Sequence, residues 1–203
     1  SERVAGLTVR VYHVAGDIRQ IPRLAANQTP NADWVIPTLD LPGAEQFPAL
    51  EAPIVSHVHG YLTTPAAGSY TFRITSEDGS RLLIDNQVEI DHDGRHGATS
   101  KESGPVLLES GTRALLVEHF DSGGRRSLRL EWKPPGAPDY SLIPPEALTT
   151  DADAARVTSP GVKRLFEDTR PGDGREVEGV HPSFTRTPIL PEGFAPKVGA
   201  MCF

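Results

Sequence analysis

Apolar and polar residues alternate along several short stretches of this chain, and the period is two. Tyr70, Phe72 and Ile74 alternate with Thr71, Arg73 and Thr75, and Leu82 and Ile84 continue the pattern. Ala114, Leu116, Glu118 and Phe120 alternate with Leu115, Val117 and His119, and Leu128, Leu130 and Trp132 alternate with Arg129 and Glu131. Such a period predicts strands with one face in a core. Near the start, Leu7, Val9 and Val11 alternate with Thr8, Arg10 and Tyr12, so an N-terminal strand is expected in the same sheet system. Turn signals separate the strands at short spacing: Pro65 to Gly68, Glu77-Asp78-Gly79, Asp85-Asn86, Asp93-Gly94, Ser110-Gly111 and Gly123-Gly124. That cadence suits an all-β sandwich or barrel. No stretch carries the period of an amphipathic helix.

Proline placement marks out the domain. Only Pro65 and Pro105 fall between Ile54 and Lys133, whereas the flanking residues hold the other 17 of the 19 prolines. Proline cannot donate to a β ladder, so the clearing is where strands pair. From Pro134 onward 11 prolines fall in the last 70 residues. The expected division is a β domain over 1–150 and an extended Pro/Gly-rich arm over 151–203. Apolar residues of the arm, Phe184, Phe194, Met201 and Phe203 among them, are the expected docking anchors, because such groups gain by being covered.

Composition narrows the function. Twenty basic against 27 acidic residues give a net charge of -7, which lacks the positive field a phosphate backbone attracts, so nucleic acid is not an expected partner. A lone Cys202 allows no internal disulfide and no Cys-rich metal site. No apolar run approaches the ~20 residues that span a bilayer, and a chain opening at Ser1 reads as a mature product or an excised piece. There is no G-x-S-x-G elbow, no P-loop and no G-x-G-x-x-G after a strand, so a catalyst is not expected.

Five segments together resemble a PA14 domain: Gly68-Ser-Tyr-Thr-Phe72, Ser76 to Asp85, Asp91 to His96, Gly111 to Phe120, and Leu128 to Gly136 with its W-x-x-P-G ending. The resemblance covers roughly Gly6 to Thr149. It implies a β-sandwich or barrel of jelly-roll type, usually non-catalytic, appended to glycosidases, adhesins, toxins and bacterial surface proteins. Arg170 to Gly174, Gly179 to Phe184 and Pro191 to Gly199 resemble the connector that leads from PA14 domains into propeller-type dehydrogenase-like domains of large bacterial secreted proteins. The implied location is extracytoplasmic.

In sugar-binding PA14 adhesins, two consecutive acidic residues joined by a cis peptide hold a calcium ion that in turn holds sugar hydroxyls. The matching positions here are Glu77 and Asp78, with Glu77 departing from an Asp-Asp pair. Calcium takes about six to eight oxygen ligands, and Asp91, Asp93 or Asp121 could help supply them. The other reading is a tight turn in which Asp78 caps backbone amides and Gly79 supplies a positive φ. Asp91-x-Asp93-Gly94 has the opening spacing of a calcium loop but lacks its closing Glu, and reads as a loop. His57 and His59 share one strand face and His92 and His96 are near each other in sequence, yet no third zinc ligand is placed, so these read as surface histidines. Trp34, Trp132, Tyr61 and Tyr70 could offer sugar-stacking faces, though Tyr70 and Trp132 follow the inward alternation.

Two functions follow as expectations. One is carbohydrate recognition by the loops at Glu77-Asp78, Asp91 to His96 and Asp121 to Gly124, gathered at one end of the sandwich, with Asp78, Asp91, Asp93, His96 and Asp121 as ligand-binding residues. The other is a structural subunit whose arm docks on a larger extracytoplasmic or membrane-associated assembly.

Overall fold

A computed structural model describes residues 2–25, 28–47, 50–152 and 164–165. The arm anchors Phe184, Phe194, Met201 and Phe203, and the segments resembling the connector, lie outside the described residues. The described chain is built from strands: β1 (Arg3–Ala5), β2 (Leu7–Val14), β3 (Ala32–Ile36), β4 (Asp40–Leu41), β5 (Ile54–Thr64), β6 (Gly68–Glu77), β7 (Ser80–Ile84), β8 (Gln87–His92), β9 (Thr99–Glu102), β10 (Val106–Leu108), β11 (Gly111–Asp121), β12 (Ser127–Lys133), β13 (Ser141–Leu142), β14 (Leu148–Asp151) and β15 (Arg164–Leu165). Its only helical elements among the described residues are two three-residue turns, Ala44–Gln46 and Pro145–Ala147. Nothing among them is a helix long and apolar enough to cross a membrane.

Two sheets form a sandwich. The first runs β1-β14-β5-β11-β7-β8, with β2 beside β5, β3 on the outside of β2, and β15 parallel to β2. The second runs β10-β6-β12-β13, with β9 also on β6 and β4 on β12. The long antiparallel pair β5–β11 aligns Ile54 with Asp121 at one end and Thr64 with Gly111 at the other. The alternation read from the sequence is the sandwich interior. Tyr70, Phe72 and Ile74 of β6, with Leu128, Leu130 and Trp132 of β12, are buried against Val58, Leu62, Leu82, Leu115 and Val117 of the first sheet. Tyr70 stacks toward Trp132 at 5.7 Å between ring centroids and donates its hydroxyl to the Ala66 carbonyl, so these aromatics belong to the core.

Strand β2 departs from the expected one-sided burial. Leu7, Val9 and Val11 enter the main core, but Tyr12 and Val14 on the opposite face are buried too. Ile18, Ile21 and Leu24 fold over that face and, with Val55 and Phe120, make a second small apolar cluster outside the first sheet. Phe120 therefore counts as core although it lies on the outward side of β11. Gly60 marks where β2 and β14 meet on one flank of β5: a Cβ there would lie 2.6 Å from the Thr149 carbonyl oxygen and 2.8 Å from Leu7 Cδ2.

At that junction the Thr8 and Thr150 hydroxyls, both fully buried, bond each other at 2.7 Å. Thr8→Val is expected to lower stability by about 1–2 kcal/mol, since it strands a buried hydroxyl rather than removing both partners. Urea denaturation reads this directly, and Thr8→Val combined with Thr150→Val should recover part of the loss.

Candidate functional site

Three loops meet at the end of the sandwich where β5 begins and β11 ends: Asp78-Gly79 between β6 and β7, 93–98 between β8 and β9, and 122–126 between β11 and β12. Their meeting point is the Asp78 carboxylate. Its Oδ1 accepts the His96 amide N–H at 3.1 Å, while Oδ2 accepts the Ser122 amide N–H at 2.9 Å and the Ser122 hydroxyl at 2.5 Å. Asp78 is only 5% exposed, so this carboxylate clamps loops.

The Glu77–Asp78 peptide is cis. The Glu77 carbonyl oxygen accepts a hydrogen bond from Nε2 of His119 at 2.8 Å, on β11 across the sandwich. His119 is fully buried, its ring tilted on Phe47 at 6.1 Å, and burial holds its pKa below the usual histidine range. Gly79 does not supply a positive φ, contrary to the turn reading. Its role is close approach: a Cβ would lie 2.6 Å from Phe120 Cε1 and 2.7 Å from the Gly94 backbone nitrogen. Bringing the 93–98 loop that close is what puts the His96 amide within reach of Asp78.

Asp121 is buried at 1% exposure and is held within its own loop. Its Oδ1 accepts the Gly123 N–H at 3.0 Å and its Oδ2 accepts Nε of Arg126 at 2.7 Å. Arg126 adopts φ 51, after Gly123 and Gly124 at φ 125 and 147, so the loop turns its side chain inward. There the guanidinium lies over the Phe47 ring and donates from Nη2 to the Leu50 carbonyl at 3.1 Å. The Glu77 carboxylate lies against Gly124 and accepts the Arg125 N–H at 3.4 Å.

Asp91 and Asp93 are gathered by a different cation. Arg81 of β7 reaches Glu118 Oε2 at 3.1 Å, Asp93 Oδ2 at 3.4 Å and Asp91 Oδ1 at 3.6 Å. Asp93 Oδ1 also accepts the Ile21 and Gly94 amides, tying Ile21 to this loop. His92 and His96 stack with ring centroids 4.1 Å apart, and burial followed by its neighbour His96 lowers the pKa of His92.

His57 and His59 are half-buried rather than freely exposed. They lie on the outer face of β5 between β2 and β11, where His57 is 24% exposed, 4.0 Å from Glu118, and edge-on to Tyr12. Burial is the first cause of the low pKa of both, and His59 falls to about 4 with Arg10 and His57 adding repulsion. Trp34 packs partly buried against the core, and Tyr61, toward the far end of β5, carries Arg3 over its ring at 3.7 Å, so neither belongs to the loop end.

A calcium ion collects about six to eight oxygens. Here both Asp78 oxygens already accept donors, Asp121 is neutralised by Arg126, and Asp91 and Asp93 are taken by Arg81. No group of three or more His, Cys, Asp or Glu residues able to hold a metal occurs among the described residues. Protein donors and cations thus already engage these four carboxylates. Ser122, Arg126, His119 and Arg81, which organise this end, carry no motif of their own; the paired glycines before Arg126 are the one local signal of a tight inward turn.

The two sheets and the gathered loops define a β-sandwich domain. The family model for the PA14 domain matches residues 4–145, and the chain belongs to that family. No curated protein matches it significantly. Among solved structures, the PA14 domain of the MpAFP antifreeze protein is similar at 16% identity and TM-score 0.66, over 74% of this chain and 93% of that one. A PA14 sugar-binding domain from an RTX adhesin is similar at 20% identity and TM-score 0.65, over 73% and 99%. The epithelial adhesin 9 A domain from Candida glabrata, solved with Galb1-4GlcNAc, is similar at 14% identity and TM-score 0.51, over 73% and 90%. At these identities the likeness is one of fold.

Proposed function

We propose that this chain is a non-catalytic carbohydrate-binding module that works outside the cytoplasm, with its ligand surface on the 77–79, 93–98 and 122–126 loops. The observation that carries the reading is the convergence of the three loops on Asp78, which turns separate loops into one fixed surface. Membership of the PA14 family and the sugar-binding and adhesin names of similar folds support it. The buried Asp78 and Asp121 shape this surface, while the exposed Gly97, Gly123, Gly124 and Arg125 and the half-exposed His96 and Ser122 offer the donors and acceptors that sugar hydroxyls need. Rigid polar loops suit such a ligand, because each hydrogen bond is then made without first ordering the protein.

Amide chemical shifts recorded during titration with a panel of neutral and acidic monosaccharides test this. Changes should cluster at residues 94–98 and 122–125. Arg125→Ala should weaken binding about tenfold, the loss of one charge-assisted hydrogen bond, with an unchanged melting temperature. Shifts confined to another surface, or none at millimolar sugar, would remove the proposal.

A further inference from the structure

We propose that the loop end of this chain holds its shape without a divalent cation, the buried guanidinium of Arg126 serving as its built-in cation. For ligand binding the inference rests on the carbohydrate reading above; for the architecture of the loop end it stands alone.

The argument starts from what a hard cation does at a loop cluster: it collects carboxylate and carbonyl oxygens from separate segments and cancels their charge. Arg126 does both. Its Nε bonds Asp121 at the end of β11 at 2.7 Å and its Nη2 bonds the Leu50 carbonyl of the segment before β5 at 3.1 Å. Both members of the ion pair are almost fully removed from water, with side-chain exposures of 8% and 1%. A fixed positive charge in the same loop opposes entry of a second cation.

Asp78, at the front of the site, already accepts protein donors on both carboxylate oxygens. Asp78 receives three donors, and each comes from a loop that a metal would otherwise have to recruit: His96 from one side, Ser122 from the other. The hydroxyl of Ser122 bonds to the carboxylate rather than presenting itself for coordination. Peptide and hydroxyl donors thus do for Asp78 what a metal would do, and Arg126 does so for Asp121.

The test uses the full chain melted in chelator and in millimolar calcium. Identical curves are expected, because a ligand that binds only the native state raises its melting temperature by mass action and a non-ligand leaves it alone. A rise of several degrees in calcium would overturn the inference. Arg126→Met should lower the melting temperature in both buffers, and Arg126→Lys should recover part of the loss as a single point charge; a wild-type melting temperature in Arg126→Met would overturn it. Should Arg126→Met not fold, calorimetric titration of the unmutated protein with calcium decides, and measurable heat with a defined stoichiometry counts against the inference. The sugar titration repeated in both buffers separates the two proposals. Equal binding in both supports each. Absence of binding in both, with equal melting, removes the carbohydrate reading and leaves the metal-free loop end standing. Binding seen only with calcium overturns the metal-free loop end.

Discussion

Asp78→Ala is expected to cost about 3 kcal/mol or more. The carboxylate accepts three hydrogen bonds, and its removal leaves the His96 and Ser122 amides and the Ser122 hydroxyl without their acceptor. A donor left unpaired in a protected position costs roughly 1–3 kcal/mol. Because His96 and Ser122 are half-exposed, water replaces part of each bond, and the low end of that range applies to each. For a domain of this size the melting temperature should fall by roughly 6–12 °C. Asp78→Asn keeps one oxygen and sets an NH2 group against a donor, so it should fall between alanine and wild type. Asp91→Ala is the internal comparison, since Asp91 is exposed and meets Arg81 at 3.6 Å, a contact worth about 0.5 kcal/mol or less. Equal effects of Asp78→Ala and Asp91→Ala in urea denaturation would show that Asp78 does not tie the loops.

The contrast between these two aspartates shows how far the sequence could be read. Both lie in turn segments flanked by strands, and both were candidates for the same ligand surface. Strand pairing decides between them. Arg81, Glu118 and Asp91 become neighbours only because β7 is sandwiched between β8 and β11, with Arg81 facing Asp91 on one side and Glu118 on the other. Glu118 is remote in sequence, and a register shift between Leu82 and Leu83 displaces the β7–β8 pairing from what its two-residue turn would set, so the partners of Asp91 and Asp93 were not legible. The period-two pattern was legible wherever one face of a strand meets the core, as in Tyr70, Phe72 and Ile74. It misled at β2 and at Phe120, because the outer cover of Ile18, Ile21 and Leu24 comes from an irregular segment that has no period of its own. The gathering of the three loops at one end was anticipated from the family resemblance. What holds them was not, since Arg126 reaches Asp121 through a left-handed backbone turn that two glycines permit but do not specify.

Stability should fall as pH is lowered from about 6.5 toward 4, and the histidines give the sign. In the unfolded chain a histidine takes up its proton near pH 6.5. In the native protein His59 stays neutral down to about 4, held there first by burial and then by Arg10 and His57, and its ring Nε2 is buried without a hydrogen-bond partner. Between those two values the unfolded state binds more protons than the native state, so stability is highest above pH 6.5 and is lost progressively as pH falls. The full shift would correspond to about 3 kcal/mol at 1.36 per pH unit, and solvent screening at this half-buried position reduces it to about 1–2 kcal/mol. His57, His119 and His92 are lowered too, each first by burial, and act in the same direction. Of these, His119 bears most directly on the loop end, because its neutral ring sits fully buried with one nitrogen donating to the Glu77 carbonyl and the other unpartnered. Glu89, whose carboxyl is raised by burial, works the other way, favouring the native state as it protonates. Urea denaturation at steps between pH 7 and pH 4 should therefore show a falling midpoint, and His59→Gln should flatten the slope over that window without changing the slope above pH 7. A wild-type midpoint that holds constant down to pH 4.5 would mean that water reaches these rings in the folded protein, and that the cover over the outer face of β5 opens readily.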